Sequence, residues 1–212
     1  HTGNFIFGRA IQYVSQIKDP KAHQILARTM VEICNGEVIQ IEDKFRLNQN
    51  LKDYFRRIKR KTALLIESSC EVGAVVANVD PAVTMRLKRF GYYVGMSYQI
   101  VDDVLDFVST DKQLGKPAGS DLLQGNITLP ILLMKDHPKI IQFIERASKG
   151  IVTEEERLEM LQIVRNSDSI QEALKVSDQY LAKAMKEVEQ LPEHPTKKKL
   201  RDIALFIGKR KF

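Results

Sequence analysis

Apolar positions along the chain repeat every three or four residues, the spacing of one helix face, and no stretch keeps the period-two alternation of a strand. The pattern predicts an all-α protein. A short amphipathic helix is expected over 3–17, on Phe5, Ile6, Ala10, Ile11 and Val14. Asp19-Pro20 then starts a long helix over about 21–43, with Ile25, Leu26, Met30, Ile33 and Ile41 on its apolar side. Gly36 interrupts that helix at a cost of about 1 kcal/mol relative to Ala, which points to close packing or room for a ligand. Leu51–Ile58 forms another short helix. The segment Thr62–Val79 reads as a helix of small residues, among them Ala63, Ser68, Ser69, Cys70, Gly73 and Ala74, suited to close helix approach or to leaving space for something apolar. Asp80-Pro81 ends it and starts the longest apolar helix, over about 82–108. The stripe of that helix is Phe90, Val94, Tyr98, Val101 and Leu105, widened by Ile100, Val104 and Phe107.

Residues 109–126 are loop-rich, with Gly115, Pro117, Gly119 and Gly125. Thr128-Leu129-Pro130 has the makings of a helix start, with Thr as cap and Pro in the first turn. Four more amphipathic helices are expected at about 138–147, 153–165, 168–190 and 195–210. Thr153 and Glu156 have the spacing of a capping box. Neither repeats nor low-complexity linkers interrupt the pattern, and 212 residues suit one domain or a large part of one.

Composition adds limits. With 43% hydrophobic residues the chain can bury a sizeable core, yet no apolar stretch is long enough to span a bilayer. Cys34 and Cys70 lie in apolar helical contexts, which predicts buried, reduced thiols and a cytoplasmic setting. The net charge of +6 is gathered in three runs: Arg56 to Lys61, Lys197 to Lys199, and Lys209 to Lys211. Such runs attract an anion, whether nucleic acid, membrane surface or a phosphorylated small molecule. The Lys197 run is expected only to solvate a helix face. A nucleic-acid partner is not expected, since it rests on net charge without any recognition motif.

The informative stretch is Gln99-Ile100-Val101-Asp102-Asp103-Val104-Leu105-Asp106. On a helix Asp102 and Asp106 share a face one turn apart, with Asp103 beside them and Gln99 one turn earlier. Three carboxylates among apolar residues repel one another, and something must offset that cost. A hard divalent cation such as Mg²⁺ does so, taking oxygen ligands from carboxylates, water and phosphate. An exposed acidic turn, or pairing with the basic runs, is the plainer alternative. Lys61-Thr62, read as the start of the small-residue helix, offers a point charge, a hydroxyl and a helix dipole to a phosphate. Lys116, between Gly115 and Gly119, sits in a loop that glycines let approach a ligand closely. Asp121 reads as a cap for the next helix. Glu37 and Gln40, one turn apart, could face a site or solvent.

In order along the chain, Gly36-Glu37, Lys61-Thr62, Gly91-Tyr92-Tyr93-Val94-Gly95, Gln99-x-x-Asp102-Asp103-x-x-Asp106, Leu114-Gly115-Lys116-Pro117, Gly119-x-Asp121-Leu122 and Thr128-Leu129-Pro130 resemble the trans-polyprenyl diphosphate synthases. The wording around Asp102 and over Gly125–Pro130 is similar to the catalytic subunit of bacterial two-component heptaprenyl or hexaprenyl diphosphate synthases, which serve menaquinone side-chain synthesis. The resemblance implies a single, partial isoprenoid-synthase domain over 1–212, a helical bundle around a central cavity. It implies Mg²⁺-dependent condensation of isopentenyl diphosphate with an allylic diphosphate. Asp102, Asp103 and Asp106 would hold the metal, Lys61 and Lys116 would bind diphosphate, and Thr62 and Gln99 would turn dipoles toward the developing cation. The implied partners are those two substrates and either a second copy or a small non-catalytic subunit. Peripheral contact with a membrane through the lipid product is also implied.

The sequence departs from that family in one large respect. The family carries two Asp-rich motifs, and no Asp-Asp-x-x-Asp precedes residue 102. The expectation is a chain missing upstream helices and inactive alone, with an exposed apolar cavity wall. Asn126 stands where many relatives have Lys, removing one diphosphate contact. A non-catalytic structural or regulatory subunit is the alternative, but it would be expected to lose the very lysines and aspartates that this chain keeps.

Overall fold

A computed structural model describes residues 2–208, and these are helical nearly throughout, with no strand among them. Lys209, Arg210 and Lys211, the last basic run, lie outside the described residues. In chain order the helices are α1 (Thr2–Val14), α2 (Pro20–Glu42), α3 (Leu51–Ile58), α4 (Leu64–Val76), α5 (Pro81–Val108), α6 (Asp111–Leu114), α7 (Ser120–Leu123), α8 (Leu129–Leu132), α9 (Pro138–Ser148), α10 (Glu154–Arg165), α11 (Ser169–Glu189) and α12 (Pro195–Gly208). Local chemistry sets most of their starts. Asp19 and Asp80 each cap a helix whose first turn holds Pro, accepting from Lys21 N–H and Ala82 N–H. Asn50 with Asp53, and Thr153 with Glu156, close reciprocal capping boxes.

The chain between α3 and α4 departs from the expected break. Lys59–Ala63 form one π-helical turn, in which Leu64 N–H reaches back to Lys59 C=O, so α3 and α4 join into one unbroken helical path. Lys61 and Thr62 therefore do not open a helix, and no free helix N-terminus stands beside them. Single π turns of this kind re-aim side chains and occur often at functional sites. Two glycines seat the turn. A Cβ on Gly36 of α2 would stand 2.9 Å from Arg60 Cβ, and one on Gly95 of α5 would stand 2.6 Å from Ala63 Cα. Gly36 thus serves packing rather than space for a ligand.

α5 is the central element, packed chiefly against α4 and α11. Its expected stripe is buried, apart from half-buried Tyr98. The main apolar core gathers Met96, Ile100, Val104 and Phe107 of α5 with Ile127 and Leu129 beyond α7. A smaller cluster holds Phe90 and Val94 against Ala184 and Val188 of α11 and Ala204 of α12. By contrast α1 buries none of its residues and exposes Phe5, Ile6, Ile11 and Tyr13. Cys34 is exposed on the outer side of α2, against the expectation of a buried thiol. Cys70 is half-buried, and burial pushes its pKa up to about 11. No helix among the described residues is long and apolar enough to cross a membrane.

Lys197 also corrects the sequence reading. It is buried, and its Nζ donates to Glu189 C=O (2.9 Å), Leu191 C=O (3.1 Å) and Glu193 Oε1 (2.6 Å). It satisfies the carbonyls left open where α11 ends, so only its neighbours Lys198 and Lys199 solvate the face. Replacing Lys197 with Met leaves two carbonyls unpaired, and denaturant unfolding should show a loss of about 1–3 kcal/mol.

Candidate active site

Asp103 and Asp106 lie on the buried side of α5, while Asp102 is half-buried beside them. Tyr54 of α3 donates to Asp103 Oδ2 at 2.7 Å, and Gln99 Nε2, one turn back on α5, donates to Asp103 Oδ1 at 2.8 Å. Thr62 of the π turn donates to Gln99 Oε1 at 2.6 Å. The result is a relay running Thr62 to Gln99 to Asp103, closed from the other side by Tyr54. Burial dominates the carboxyl of Asp103. It raises the pKa from 3.8 to about 7, against the two donated hydrogen bonds and with some help from Asp121 and Asp102.

That shift carries a test. Between pH 3.8 and about 7 the folded chain keeps a proton that the unfolded chain has lost, so stability falls as pH rises across this window. Carboxyl ¹³C titration of the ligand-free chain should find one aspartate with a midpoint near 7. Tyr54→Phe removes a donor that favours the charged form and should move that midpoint up; an unchanged midpoint would show that the Tyr54 bond contributes nothing to the charge state.

Asp106 is held differently. Lys116 Nζ stands 2.9 Å from Asp106 Oδ1 and 3.0 Å from Asp121 Oδ1. Asp121 N–H donates to Asp106 Oδ2 at 3.2 Å, and Ser120 Oγ lies 3.4 Å from Asp106 Oδ1. Asp121 is therefore a second anion for Lys116 in the first turn of α7, and Gly119, at φ 71°, occupies the cap position expected of it. Burial raises the pKa of Asp106 and the like charge of Asp121 adds to this, while Lys116 opposes both. The Lys116 pKa is raised as well: its two carboxylate partners outweigh its desolvation.

Lys61, 40% exposed, reaches from the π turn to Gln40 Oε1 of α2 at 2.8 Å and lies 3.8 Å from Glu37 Oε1. Because Lys61 can only donate, Gln40 turns its amide toward Asn126 and donates to Asn126 Oδ1 at 2.9 Å. Asn126 thus anchors Gln40. A small cavity of about 60 Å³ has Lys61, Gln99, Asp103 and Asp121 in its wall, together with Tyr54, Gln40 and Asn126. Of the residues given a catalytic, diphosphate or metal role from the sequence, Lys61, Gln99 and Asp103 line this cavity directly and Asp102 does not; Gln40, Asp121, Asn126 and Thr128, noted there for other reasons, line it too. Thr62 joins it through Gln99, and Lys116 and Asp106 join it through Asp121. Tyr54, Arg57 and the Gln40–Asn126 bridge were not legible in the sequence. Tyr54 is 49 positions from Asp103 and Gln40 is 86 from Asn126, so no local spacing could signal either contact.

Residues 1–166 match the family model described as polyprenyl synthetase. The heptaprenyl diphosphate synthase component 2 of Geobacillus stearothermophilus is 46% identical over all of this chain, which spans 66% of that relative; the one from Bacillus subtilis is also 46% identical, and the chain spans 61% of it. Among solved structures, heptaprenyl diphosphate synthase from Staphylococcus aureus superposes with a TM-score of 0.91 at 45% identity, over 99% of this chain and 66% of that one. A polyprenyl synthase from Caulobacter crescentus, solved with calcium and isoprenyl diphosphate, gives 0.90 at 33% identity, over 98% of this chain and 64% of that one. With its ordered motifs, its helical fold and these matches, this chain belongs to the polyprenyl synthetase family.

Proposed function

We propose that this chain is the prenyl-transferring part of a polyprenyl diphosphate synthase, extending an allylic diphosphate by condensation with isopentenyl diphosphate. The observation that carries the reading is one polar cavity walled by Lys61, Gln99, Asp103 and Asp121, with Asp121 linking it to a second lysine, Lys116, and to Asp106 of α5. The donor set fits Mg²⁺. Asp102, Asp103 and Asp106 offer hard oxygen ligands, and Mg²⁺ ordinarily takes one or two carboxylates with water and substrate phosphate completing its shell. Among the described residues no three acidic, His or Cys side chains form a ready cage, so the phosphate oxygens of the substrate would complete the set.

Held there, Mg²⁺ supplies positive charge against the departing diphosphate. Lys61 and Lys116 meet the diphosphate oxygens and stabilise the charge that grows on them as the allylic C–O bond breaks. Both lysines are already oriented by acceptors, Lys61 by Gln40 and Lys116 by Asp106 and Asp121. Thr62 commits its hydrogen to Gln99, which leaves the lone pairs of its oxygen for the carbon cation. Tyr54 and Ile58 of the cavity wall belong to the packed apolar core of Met96, Ile100 and Val104, which would keep out the water that would quench that cation. The π electrons of isopentenyl diphosphate then form the new C–C bond, and a proton leaves. The relatives named component 2 support a second, partner component in the working enzyme.

Calorimetric titration with farnesyl diphosphate should show binding that needs Mg²⁺ and disappears with a chelator. Because the chain spans two thirds or less of these relatives, condensation with labelled isopentenyl diphosphate is best assayed both alone and with the purified remainder of a longer relative. Label in a prenyl product under either arrangement supports the reading. No label in both, together with no Mg²⁺-dependent binding, would leave the structural-subunit alternative standing.

A further inference from the structure

We propose that Arg157 is a positioning residue for Lys116, acting with Asp111 as a clamp on the loop that carries it. The inference rests on the reading of Lys116 as a diphosphate ligand. The loop turns at Gly115 and Gly119, both at positive φ (67° and 71°), with Lys116, Pro117 and Ala118 between them. Ala118 is buried, so both its backbone polar groups need partners. Its N–H donates to Asp111 Oδ1 at 2.8 Å, and its C=O accepts from Arg157 Nη1 at 2.6 Å. The two partners also face each other, with Arg157 Nη2 3.4 Å from Asp111 Oδ2. A third tie, Gly119 N–H to Asp106 C=O at 2.7 Å, fixes the far corner to α5.

Arg157 is 6% exposed, buried between α10 and the loop, with Glu154 covering its outer edge. Eight residues further along α10, Arg165 donates to Phe107 C=O (2.6 Å) and Ser109 C=O (3.2 Å) at the end of α5. Eight residues of helix span about 12 Å. One helix therefore braces both the end of α5 that bears Asp106 and the loop that bears Lys116. Without the clamp the loop would be free to turn at its glycines, and a ligand would have to order Lys116 at the moment of binding. That ordering cost is what preorganisation removes.

The test is calorimetric binding of inorganic diphosphate in Mg²⁺ by the 212-residue chain, in a double-mutant cycle. Lys116→Ala should weaken binding. Arg157→Ala should weaken it by about tenfold, the usual scale for a residue that orients a ligand-binding group. In the Lys116→Ala background Arg157→Ala should cost nothing further, which a merely structural role could not produce. Arg157→Lys keeps one donor for Ala118 and should restore part of the loss. If Arg157→Ala does not fold, Asp111→Ala decides, because Asp111 sits at the surface and should lower affinity in the same direction. Affinities within twofold of the parent, or equal losses with and without Lys116, overturn the clamp. No effect of Lys116→Ala itself overturns the diphosphate reading beneath it and the clamp together.

Discussion

Replacing Arg57 with Leu should lower the stability of the chain by about 3–5 kcal/mol, the scale of a buried ionic group whose partners are left behind. Arg57 is 6% exposed and ties together segments distant in sequence. Its guanidinium donates to Gln49 Oε1, to Ile127 C=O and, at 3.4 Å, to Asp43 Oδ2, and it lies 5.8 Å from the ring centre of Tyr54. Leucine fills part of the volume but meets none of those acceptors. A buried carbonyl at Ile127 and a carboxylate at Asp43 would each lose a charged donor, and losses of that kind exceed what apolar burial returns. For a chain of about this length each kcal/mol moves the melting midpoint by about 2–4 °C, so a fall near 10 °C is expected. Arg57→Lys should recover little, since a single ammonium cannot reproduce a fork that reaches three acceptors. Guanidinium unfolding is the measurement, and a change below about 1 kcal/mol would show that the network is solvated rather than structural.

Arg57 also shows where sequence reading stops. The run Arg56 to Lys61 reads as one basic patch, but its members separate by fate. Arg57 turns inward as a brace, Arg60 pairs with Glu32 of α2 at 2.9 Å, and Lys61 enters the candidate site. Helical phase distinguishes inner from outer positions only when the helix is regular, and the π turn at Lys59–Ala63 shifts the phase within this run. The same turn defeated the expectation of a helix start at Lys61-Thr62. Phase and capping sufficed for some elements and not for others: Gly119 rather than Asp121 caps α7, and Thr128 precedes α8 without a side-chain cap bond. The bounds of α3 and the capping box of α10 follow from residues within one turn of one another. The carboxylates of α5 were legible for the same reason, since Gln99, Asp102, Asp103 and Asp106 share one helix.

What closes the site was not legible, because it depends on pairs brought together by packing. Tyr54 with Asp103, Gln40 with Asn126, and Arg157 with Ala118 lie 49, 86 and 39 positions apart. Asn126 makes the point sharply. From the sequence it reads as a missing diphosphate contact, whereas in the fold it is the acceptor that orients Gln40 toward Lys61. Lys197 gives the converse case. Three consecutive lysines read as a solvated face, yet one of the three is buried against the end of α11.

Replacing Asp106 with Asn should separate metal-dependent from metal-free binding of diphosphate. Asp106 is 2% exposed, and its charge is held by Lys116 and by the N–H of Asp121. Asparagine keeps the shape and still accepts from Asp121, so the fold should survive. It brings no charge, and an amide is a far poorer ligand for Mg²⁺ than a carboxylate. Mg²⁺-dependent diphosphate affinity should therefore fall by about 100-fold, which is about 3 kcal/mol. Metal-free diphosphate should respond in the opposite direction. In the ligand-free chain Asp106 competes with any anion for Lys116, and the Asn variant leaves that ammonium paired only with Asp121. Weak binding of diphosphate in the presence of a chelator should hold steady or tighten. Loss of both kinds of binding together would mean that Asp106 serves mainly to hold Lys116 in place. No loss of the Mg²⁺-dependent part would remove Asp106 from the proposed metal ligands and leave Asp102 and Asp103 to carry that role.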